Sequence, residues 1–338
     1  MSTDDYSGAE KVAIDIIEGV SDDYELIYAT RSGNINKVLQ ERNIKYINIK
    51  KLSIKEIRRI VKEDKPDIIH AHDYRASLMA ALSFVKVPII SHLHNNSPWI
   101  KTLHPYSFAL LIASLRIKKF LIVSKSIQEE YIFSKFINKK VECIGNPVSV
   151  ENIISKVPKN LVKKYDVCFS GRLTKAKNPI KFINIISEVK KQIPDIKVVM
   201  LGDGELRGKC EEEIKKLRLE KNIRMEGFVK KPYIIMAQSK IFCLTSEWEG
   251  YGLVAFEALS LGLPCVVSNV GGLPQIVDGD CGKLCKKSDE FVNEIIELLR
   301  DKNRYINKSE KSIDKSKRIE NIDKYMQKLK IIYKEISK

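Results

Sequence analysis

The stretch Ser246-Glu247-Trp248-Glu249-Gly250-Tyr251-Gly252-Leu253-Val254-Ala255-Phe256-Glu257 joins two apolar segments of the chain. Before it, residues 241–245 form a short apolar run that predicts a buried parallel strand. Residues 253–261 predict a helix, which Gly262 and Pro264 end. A glycine-containing loop between a strand and a helix start presents free backbone N–H groups and the positive end of the helix dipole. The stretch therefore predicts an α/β domain with a site for an anion such as a diphosphate.

Two carboxylates belong to the same stretch. Glu249 lies in the loop, and Glu257 lies just over one turn into the predicted helix. A carboxylate accepts hydrogen bonds and cannot donate them, so its natural partners are hydroxyl groups such as those of sugars. Phosphate-binding backbone beside hydroxyl-binding carboxylates predicts a nucleotide-sugar site.

The segment EGYGLVAFE resembles the E-x7-E motif of the retaining glycosyltransferases of family 4. The apolar run before it and the Gly-aromatic-Gly-Leu sequence inside it make the likeness specific. The resemblance covers nearly the whole chain and implies the GT-B fold, an α/β architecture of two Rossmann-like domains facing across a cleft. It also implies retaining transfer of a hexose from a nucleotide diphosphate sugar without a metal ion, by front-face attack with the leaving phosphate assisting the incoming hydroxyl.

A cationic loop follows an earlier apolar strand, in the sequence Gly171-Arg172-Leu173-Thr174-Lys175-Ala176-Lys177. Fixed cations stabilise the charge that develops on a nucleotide when its bond to the sugar breaks. Arginine can grip a phosphate through two hydrogen bonds, and lysine supplies a mobile point charge. The spacing resembles the GR-L-x-x-x-K pattern of family 4, which implies that Arg172 and Lys177, beside Gly171, bind the donor diphosphate.

The resemblance implies further donor contacts. Glu257 would hold the ribose hydroxyls, and Glu249 would hold the donor sugar near its 3-hydroxyl. A UDP-sugar is favoured over a GDP-sugar as donor, and no separate cofactor is expected. Gly271 and Gly272 resemble the family's G-G-x-P-E segment, with Gln275 in place of the usual glutamate. Backbone contacts to the sugar and phosphates are expected from Gly250, Tyr251, Gly252 and Leu253, and contacts to the base from Gly227, Phe228 and Val229.

The histidines allow a second interpretation. His70 and His72 share one face of a predicted strand end, as do His92 and His94. Two such pairs could ligate a metal, which would make the protein a metal-dependent hydrolase. The segment around His94 instead resembles the family position at which a histidine reaches the transferred sugar, and a non-catalytic sugar-binding module is a third possibility. Asp278-Gly279-Asp280 has the form of a metal-binding D-x-D motif. Its position after GGLPQIV predicts a turn, so we expect no metal there.

The length of 338 residues predicts two domains. We expect an acceptor-side domain over residues 1–150 and a nucleotide-sugar domain over 160–315, joined by a linker at 150–163, with a C-terminal helix at about 318–338 crossing back. In the first domain, short strands (24–29, 44–49, 67–71, 87–91 and 120–123) alternate with helices (10–18, 54–62, 76–84 and 106–117), as in a parallel sheet. Glu10 is expected off the apolar face of the first helix.

The N-terminal edge departs from the family pattern. Family 4 enzymes have a strand and a glycine-rich loop before the first helix, whereas nothing before Ser7 predicts a strand. That strand would be central in a doubly wound sheet. We therefore expect an apolar gap, which either the fold tolerates or an earlier start of the chain would fill.

Composition and charge indicate the setting. The start of the chain has no signal-peptide pattern, and four of the seven cysteines fall in apolar runs, as expected in a reducing cytoplasm. The net charge of +16 is not accompanied by a recognised nucleic-acid motif, so an anionic membrane surface is the expected partner. Residues 99–119 combine aromatic and aliphatic side chains with Lys101, Arg116, Lys118 and Lys119 and contain no acid. They predict a helix on the inner face of the cell membrane or, alternatively, one packed on the sheet.

The expected function is therefore transfer of a hexose to a glycan or lipid-linked glycan. Capsule, exopolysaccharide or other envelope polysaccharide synthesis is the expected setting, with the enzyme cytoplasmic and peripherally bound to the membrane.

Overall fold

Two α/β units make up the computed structural model, which describes residues 6–337. The first unit runs to Pro147 and takes in the chain again from Asn321. The second unit is Val148–Glu320. Within residues 6–337, no helix combines the length and the apolar character needed to cross a bilayer.

The first helix described in the first unit buries its apolar face. Its helices are α1 (Gly8–Val20), α2 (Ile35–Glu41), α3 (Ile54–Asp64), α4 (Asp73–Leu82), α5 (Pro105–Ala113), α6 (Lys125–Glu130), α7 (Ser134–Ile137) and the C-terminal α16 (Ile322–Ile336). Its strands are β1 (Tyr28–Thr30), β2 (Tyr46–Asn48), β3 (Ile69–His72), β4 (Ile89–Leu93), β5 (Ile117–Ile122) and β6 (Val141–Cys143). Short 3-10 turns lie at Pro98–Lys101 and Asn138–Lys140.

The strands of the first unit fall into two parallel sheets. One contains β1 and β2, and the other has the order β3-β4-β5-β6. No strand among the described residues joins the two sheets. The expectation that no strand precedes Ser7 concerns residues that, apart from Tyr6, lie outside the described part of the chain.

The second unit contains one continuous parallel sheet with the strand order β12-β11-β10-β7-β8-β9. Its strands are β7 (Tyr165–Ser170), β8 (Val198–Leu201), β9 (Ile223–Gly227), β10 (Ser239–Leu244), β11 (Cys265–Ser268) and β12 (Gly282–Cys285). Its helices are α8 (Glu151–Ile154), α9 (Pro179–Lys190), α10 (Arg207–Lys216), α11 (Pro232–Ala237), α12 (Leu253–Ser260), α13 (Leu273–Ile276), α14 (Ser288–Arg300) and α15 (Lys302–Ile319). Strands β7, β8, β10 and β11 are almost wholly buried, which explains why their sequences are continuous apolar runs.

Several predicted boundaries were wrong. The helix expected to reach Ile117 ends at Ala113, because Ile117 pairs with Ile89 and begins β5. The first strand starts at Tyr28, four residues later than predicted. The predicted linker contains α8, and α15 was not predicted. Glu10 is 2% exposed rather than outside the buried face, and Ser7 donates a hydrogen bond to its carboxylate.

Candidate functional site

The carboxyl ends of β7 and β10 mark the candidate site in the second unit. These two strands are neighbours, yet the chain leaves β7 toward β8 and β9 on one side and leaves β10 toward β11 and β12 on the other. Such a reversal of strand order opens a crevice at the carboxyl ends of the two strands, where ligands of open α/β sheets bind. The loops that begin at Gly171 and Thr245 leave the sheet there.

An ion pair joins the two loops. The Lys177 ammonium contacts Glu249 Oε2, and the Ser246 hydroxyl donates to the same oxygen at 3.2 Å. The side chains of Lys177 and Glu249 are only 18% and 13% exposed. Arg172, in contrast, is exposed and has no ion-pair partner among residues 6–337. The crevice therefore holds one cation that is paired with a carboxylate and one that has no acidic partner among the described residues.

Hydrogen bonds to backbone carbonyl groups also join the same two loops. The Thr245 hydroxyl donates to the carbonyl oxygens of Lys177, at 3.2 Å, and Asn178, at 2.9 Å. The backbone N–H of Glu247 donates to the carbonyl of Ala176 at 2.8 Å. These hydrogen bonds hold the two loops together at the crevice.

Helix α12 begins immediately after this loop. Gly252 lies before its first residue with a φ of +97°, a left-handed conformation that favours glycine. Glu257 follows within the second turn, and the Tyr233 hydroxyl of α11 donates to its Oε1 at 3.5 Å. Tyr233 was not predicted as a site residue, because its contact with Glu257 depends on the packing of α11 beside α12.

Gly271 and Gly272 pack against the backbone of the loop that carries Glu249. A Cβ atom on Gly271 would lie 1.7 Å from the Glu249 carbonyl oxygen, and one on Gly272 would lie 2.4 Å from the Gly250 carbonyl oxygen. The two glycines therefore allow a close backbone approach that supports the loop. Gln275, two residues into α13, is exposed.

The residues expected to contact the base lie at the end of β9. Gly227 is its last residue, and Phe228 follows with 71% of its surface exposed. Strand β9 is at the edge of the sheet, two strands away from β7. Phe228 therefore offers an aromatic face to solvent on the β8–β9 side of the crevice.

The Asp278-Gly279-Asp280 segment is a turn, as predicted. The backbone N–H of Asp280 donates to Asp278 Oδ1 at 3.1 Å, and Lys315 of α15 pairs with Asp278 Oδ2 at 2.7 Å. Burial opposes ionisation here, but hydrogen bonds from Lys315 and Cys281 outweigh it and lower the pKa of Asp278 to about 2. This carboxylate is engaged in holding α15 to the turn.

Four histidines form a cluster at the carboxyl ends of β3 and β4 in the first unit. His70 and His72 lie on β3, and His92 and His94 lie on and just after β4. Burial lowers the pKa of all four imidazoles, that of His70 to about 3 and that of His94 to about 4. They are therefore neutral near pH 7.

Helix α5 packs on the first unit with one face and exposes the other. Ser107, Leu110 and Ala113 are buried. An exposed set, hereafter the apolar patch, consists of Leu103, Phe108, Ile112, Leu115 and Phe136. Phe108 reaches Phe136 through Phe133, with ring centroids 4.8 and 6.4 Å apart.

The four cations expected beside this patch are not equivalent. Lys101 pairs with Glu130 at 3.2 Å, and Lys119 pairs with Glu142 at 2.5 Å. Lys118 and Arg116 remain exposed. The segment thus combines sheet packing with an exposed apolar face, and only half of its predicted cations are free of acidic partners among residues 6–337.

Comparisons with known proteins point to one family. The family model described as "Glycosyl transferases group 1" matches residues 150–319, and the one described as "Glycosyltransferase Family 4" matches residues 6–152.

Individual relatives agree with these matches. An uncharacterized glycosyltransferase of Methanocaldococcus jannaschii is 29% identical over 62% of this chain, which spans 57% of that relative. The UDP-Gal:alpha-D-GlcNAc-diphosphoundecaprenol alpha-1,3-galactosyltransferase of Escherichia coli is 26% identical over 77% of this chain and 73% of its own length. Among solved structures, Anabaena HepE in complex with UDP and glucose has a TM-score of 0.88 and 17% identity, covering 99% of this chain and 98% of that one. These likenesses confirm the two-domain α/β GT-B fold predicted from the sequence.

Proposed function

The chain belongs to the family of glycosyl transferases group 1, and from this premise we propose that it moves a hexose from a UDP-sugar to a lipid-linked glycan. The observation that carries the proposal is the meeting of Lys177 and Glu249 at the carboxyl ends of β7 and β10. A lysine with the chemistry to bind phosphate and a carboxylate with the chemistry to accept from sugar hydroxyls lie there beside the start of a helix.

The donor diphosphate is assigned to Arg172, Lys177 and the backbone beside them. Arg172 is exposed at the end of β7 and can grip two phosphate oxygens. Lys177 has three N–H donors, so it can keep its bond to Glu249 and still donate to a phosphate. As the bond to the sugar breaks, negative charge grows on the diphosphate, and these cations stabilise the transition state more than the ground state.

The sugar and the nucleoside are assigned to the carboxylates and to the β9 end. Glu257 is proposed to accept hydrogen bonds from the ribose hydroxyls, with Tyr233 holding its carboxylate. Glu249 is proposed to bind the donor sugar, with Lys177 and Ser246 fixing its position. Phe228 is proposed to lie against the base, and His94 to contact the transferred sugar.

We propose a retaining reaction on one face of the sugar. The bond from the anomeric carbon to the diphosphate oxygen breaks, and the acceptor oxygen bonds to that carbon from the same side. The acceptor hydroxyl gives its proton to the leaving phosphate oxygen, so no protein nucleophile is required.

The acceptor is proposed to be a glycan on a lipid diphosphate, in envelope polysaccharide synthesis. The Escherichia coli relative is named for a diphosphoundecaprenol-linked acceptor. The apolar patch with exposed Lys118 and Arg116 nearby suits an anionic bilayer, into which aromatic and aliphatic side chains insert while cations remain at the headgroups. The apolar patch and the two exposed cations therefore support the use of a membrane-bound acceptor.

The two other functions considered from the sequence are not favoured. Both family models and the named relatives are glycosyltransferases rather than metal-dependent hydrolases or sugar-binding modules.

The test is donor turnover by an arginine variant with a neighbouring control. Arg172→Ala should raise the free energy of the transition state by about 2–4 kcal/mol, as loss of one preorganised charge contact does. For a UDP-sugar this lowers kcat/KM by roughly 30–1000-fold. Lys175→Ala removes an exposed cation from the same loop and should leave kcat/KM within about threefold of the wild type. A panel of UDP- and GDP-sugars analysed by mass spectrometry identifies the donor. Wild-type turnover by the Arg172→Ala, Lys177→Ala double variant would refute the assignment of the donor site.

A further inference from the structure

The four clustered histidines are arranged as two hydrogen-bonded pairs. His70 Nε2 lies 3.2 Å from His92 Nδ1, and the two rings are within 7° of parallel with centroids 5.3 Å apart. His72 Nδ1 lies 2.9 Å from His94 Nε2, with an angle of 8° and centroids 5.1 Å apart. In each pair the centroid separation is close to the N···N distance plus the two distances from ring centroid to ring nitrogen. The two rings of each pair are therefore nearly coplanar. The pairs then stack, His70 on His72 at 4.4 Å and His92 on His94 at 4.2 Å.

Two ring nitrogens of this cluster lack hydrogen-bond partners among the described residues. They are His92 Nε2 and His94 Nδ1, and both are buried. His92 as a whole is 0% exposed. Leaving a buried polar atom unpaired destabilises a fold by about 1–3 kcal/mol. Apolar residues would fill the same space without this penalty, so packing alone gives no reason for four imidazoles here.

The surroundings of the cluster suit a cation. The Tyr333 hydroxyl lies 2.6 Å from His70 Nδ1, and in the tautomer with the ring proton on Nδ1 this contact leaves the Nε2 lone pair toward the cluster. The backbone N–H of His94 donates to Asp73 Oδ1 at 3.2 Å, and the carboxylate of Glu10 acts electrostatically on His94. Two carboxylates therefore lie close enough to offset part of a buried positive charge.

We propose that His70, His72 and His92 form a binding site for one divalent transition-metal ion. Candidate ligand atoms of the three residues all lie within 4.8 Å of one another. Zinc–nitrogen bonds of about 2.0–2.1 Å in a tetrahedral site place two nitrogens about 3.3 Å apart. This is close to the 3.2 Å between His70 Nε2 and His92 Nδ1, whose hydrogen bond the ion would replace, with the His92 ring proton then on Nε2. The 4.8 Å bound leaves the third nitrogen within about 1.5 Å of the same spacing.

The ligand chemistry selects the ion. Neutral imidazole nitrogens bind Zn²⁺, Co²⁺, Ni²⁺ and Cu²⁺, whereas Mg²⁺ and Ca²⁺ require oxygen ligands. The three proposed ligands lie within the first unit, next to His94, which is hydrogen-bonded to His72.

The experiment is a metal titration of the full chain after dialysis against a chelator. Co²⁺ should bind with one ion per chain and produce visible d–d absorption, and Zn²⁺ added afterwards should remove that absorption by displacement. His92→Gln should weaken binding at least about tenfold, and Tyr333→Phe, which keeps all four rings, should weaken it by roughly 10–100-fold as loss of an outer-shell partner does. Melting curves establish that each variant is folded.

The fifth histidine and one cysteine provide the controls. His104 lies outside the cluster, and its ring nitrogen accepts from the Tyr106 N–H at 3.2 Å, so His104→Gln should bind Co²⁺ as the wild type does. Cys143, which is not fully buried, is the thiol most able to compete, so Cys143→Ser should also bind normally. Absence of stoichiometric binding to the wild type, or undiminished binding to folded His92→Gln, would overturn the proposal. Because these measurements do not depend on turnover, a failed transferase assay would leave this result unaffected.

Discussion

The backbone contact at Gly271 leads to a sharp prediction about the donor loop. Gly271 has a φ of +57°, and a Cβ atom there would lie 1.7 Å from the Glu249 carbonyl oxygen and 2.7 Å from the carbonyl carbon. The obstacle is backbone, so no side-chain rotation can relieve it. Gly271→Ala must therefore either displace the loop that carries Glu249 or distort the turn before α13.

The expected magnitude has two parts. A left-handed conformation disfavours alanine by about 1–2 kcal/mol relative to glycine. Overpacking that forces a backbone shift adds about 1–3 kcal/mol. The free energy of unfolding should therefore fall by about 2–5 kcal/mol, which for a unit of this size lowers the melting temperature by roughly 4–20 °C. Since the loop holds Glu249, the donor KM should rise as well.

A glycine of the same unit supplies the matched control. A Cβ atom on Gly279 would meet nothing within 4 Å, and this residue also lies in a turn. Gly279→Ala should therefore melt within about 2 °C of the wild type. Differential scanning calorimetry and donor kinetics on the two variants decide the question. A Gly271→Ala protein with wild-type melting temperature and donor KM would refute the close backbone contact between Gly271 and Glu249.

Three further predictions concern the donor, the turn and the membrane. Glu257→Ala should raise the donor KM by roughly 10–100-fold with little change in kcat, since ribose contacts are alike in ground and transition states; a loss confined to kcat would contradict its role. Asp278→Asn should destabilise the chain by about 1 kcal/mol at pH 7, because the folded carboxylate has a pKa of about 2, below its unfolded value. That stabilisation is present above about pH 4 and is lost as the pH falls toward 2, so urea melts of variant and wild type should converge there. A Phe108→Ser, Ile112→Ser double variant should bind anionic vesicles at least about tenfold more weakly in co-sedimentation. Ile331→Ser, which changes an exposed isoleucine of α16, should bind as the wild type does. Equal binding by the wild type, the double variant and Ile331→Ser would exclude the apolar patch as a membrane contact.

Strand β10, the loop after it and α12 could be predicted because their signals are local. A continuous apolar run marks a strand buried on both faces, and the glycine at 252 marks the turn into the helix. Helix α15 escaped prediction for the opposite reason. Its buried positions include Ser312 and Ser316, whose hydroxyls bond to backbone carbonyls, so its inner face carries little apolar periodicity.

The partners within the candidate site were less predictable than its members. Lys177 and Glu249 could each be singled out by motif, but their ion pair depends on the adjacency of β7 and β10. Tyr233 and Thr245 gave no sequence signal, because a single hydroxyl gains its role only from the group packed beside it. The coplanar pairing of the histidines likewise depends on the register that sets His72 opposite His92.

The return of α16 to the first unit affects the order in which the chain can fold during synthesis. Met326, Leu329, Ile332 and Tyr333 of this helix are buried, and a Cβ atom on Gly19 would lie 2.6 Å from the Met326 side chain. At 5–20 residues per second, a ribosome needs roughly 10–35 s to pass from Pro147 to Asn321. The nascent first unit must wait for that interval with part of its interior uncovered, while the second unit emerges complete. Nascent chains are therefore most exposed to proteases and chaperones through their earliest-made half.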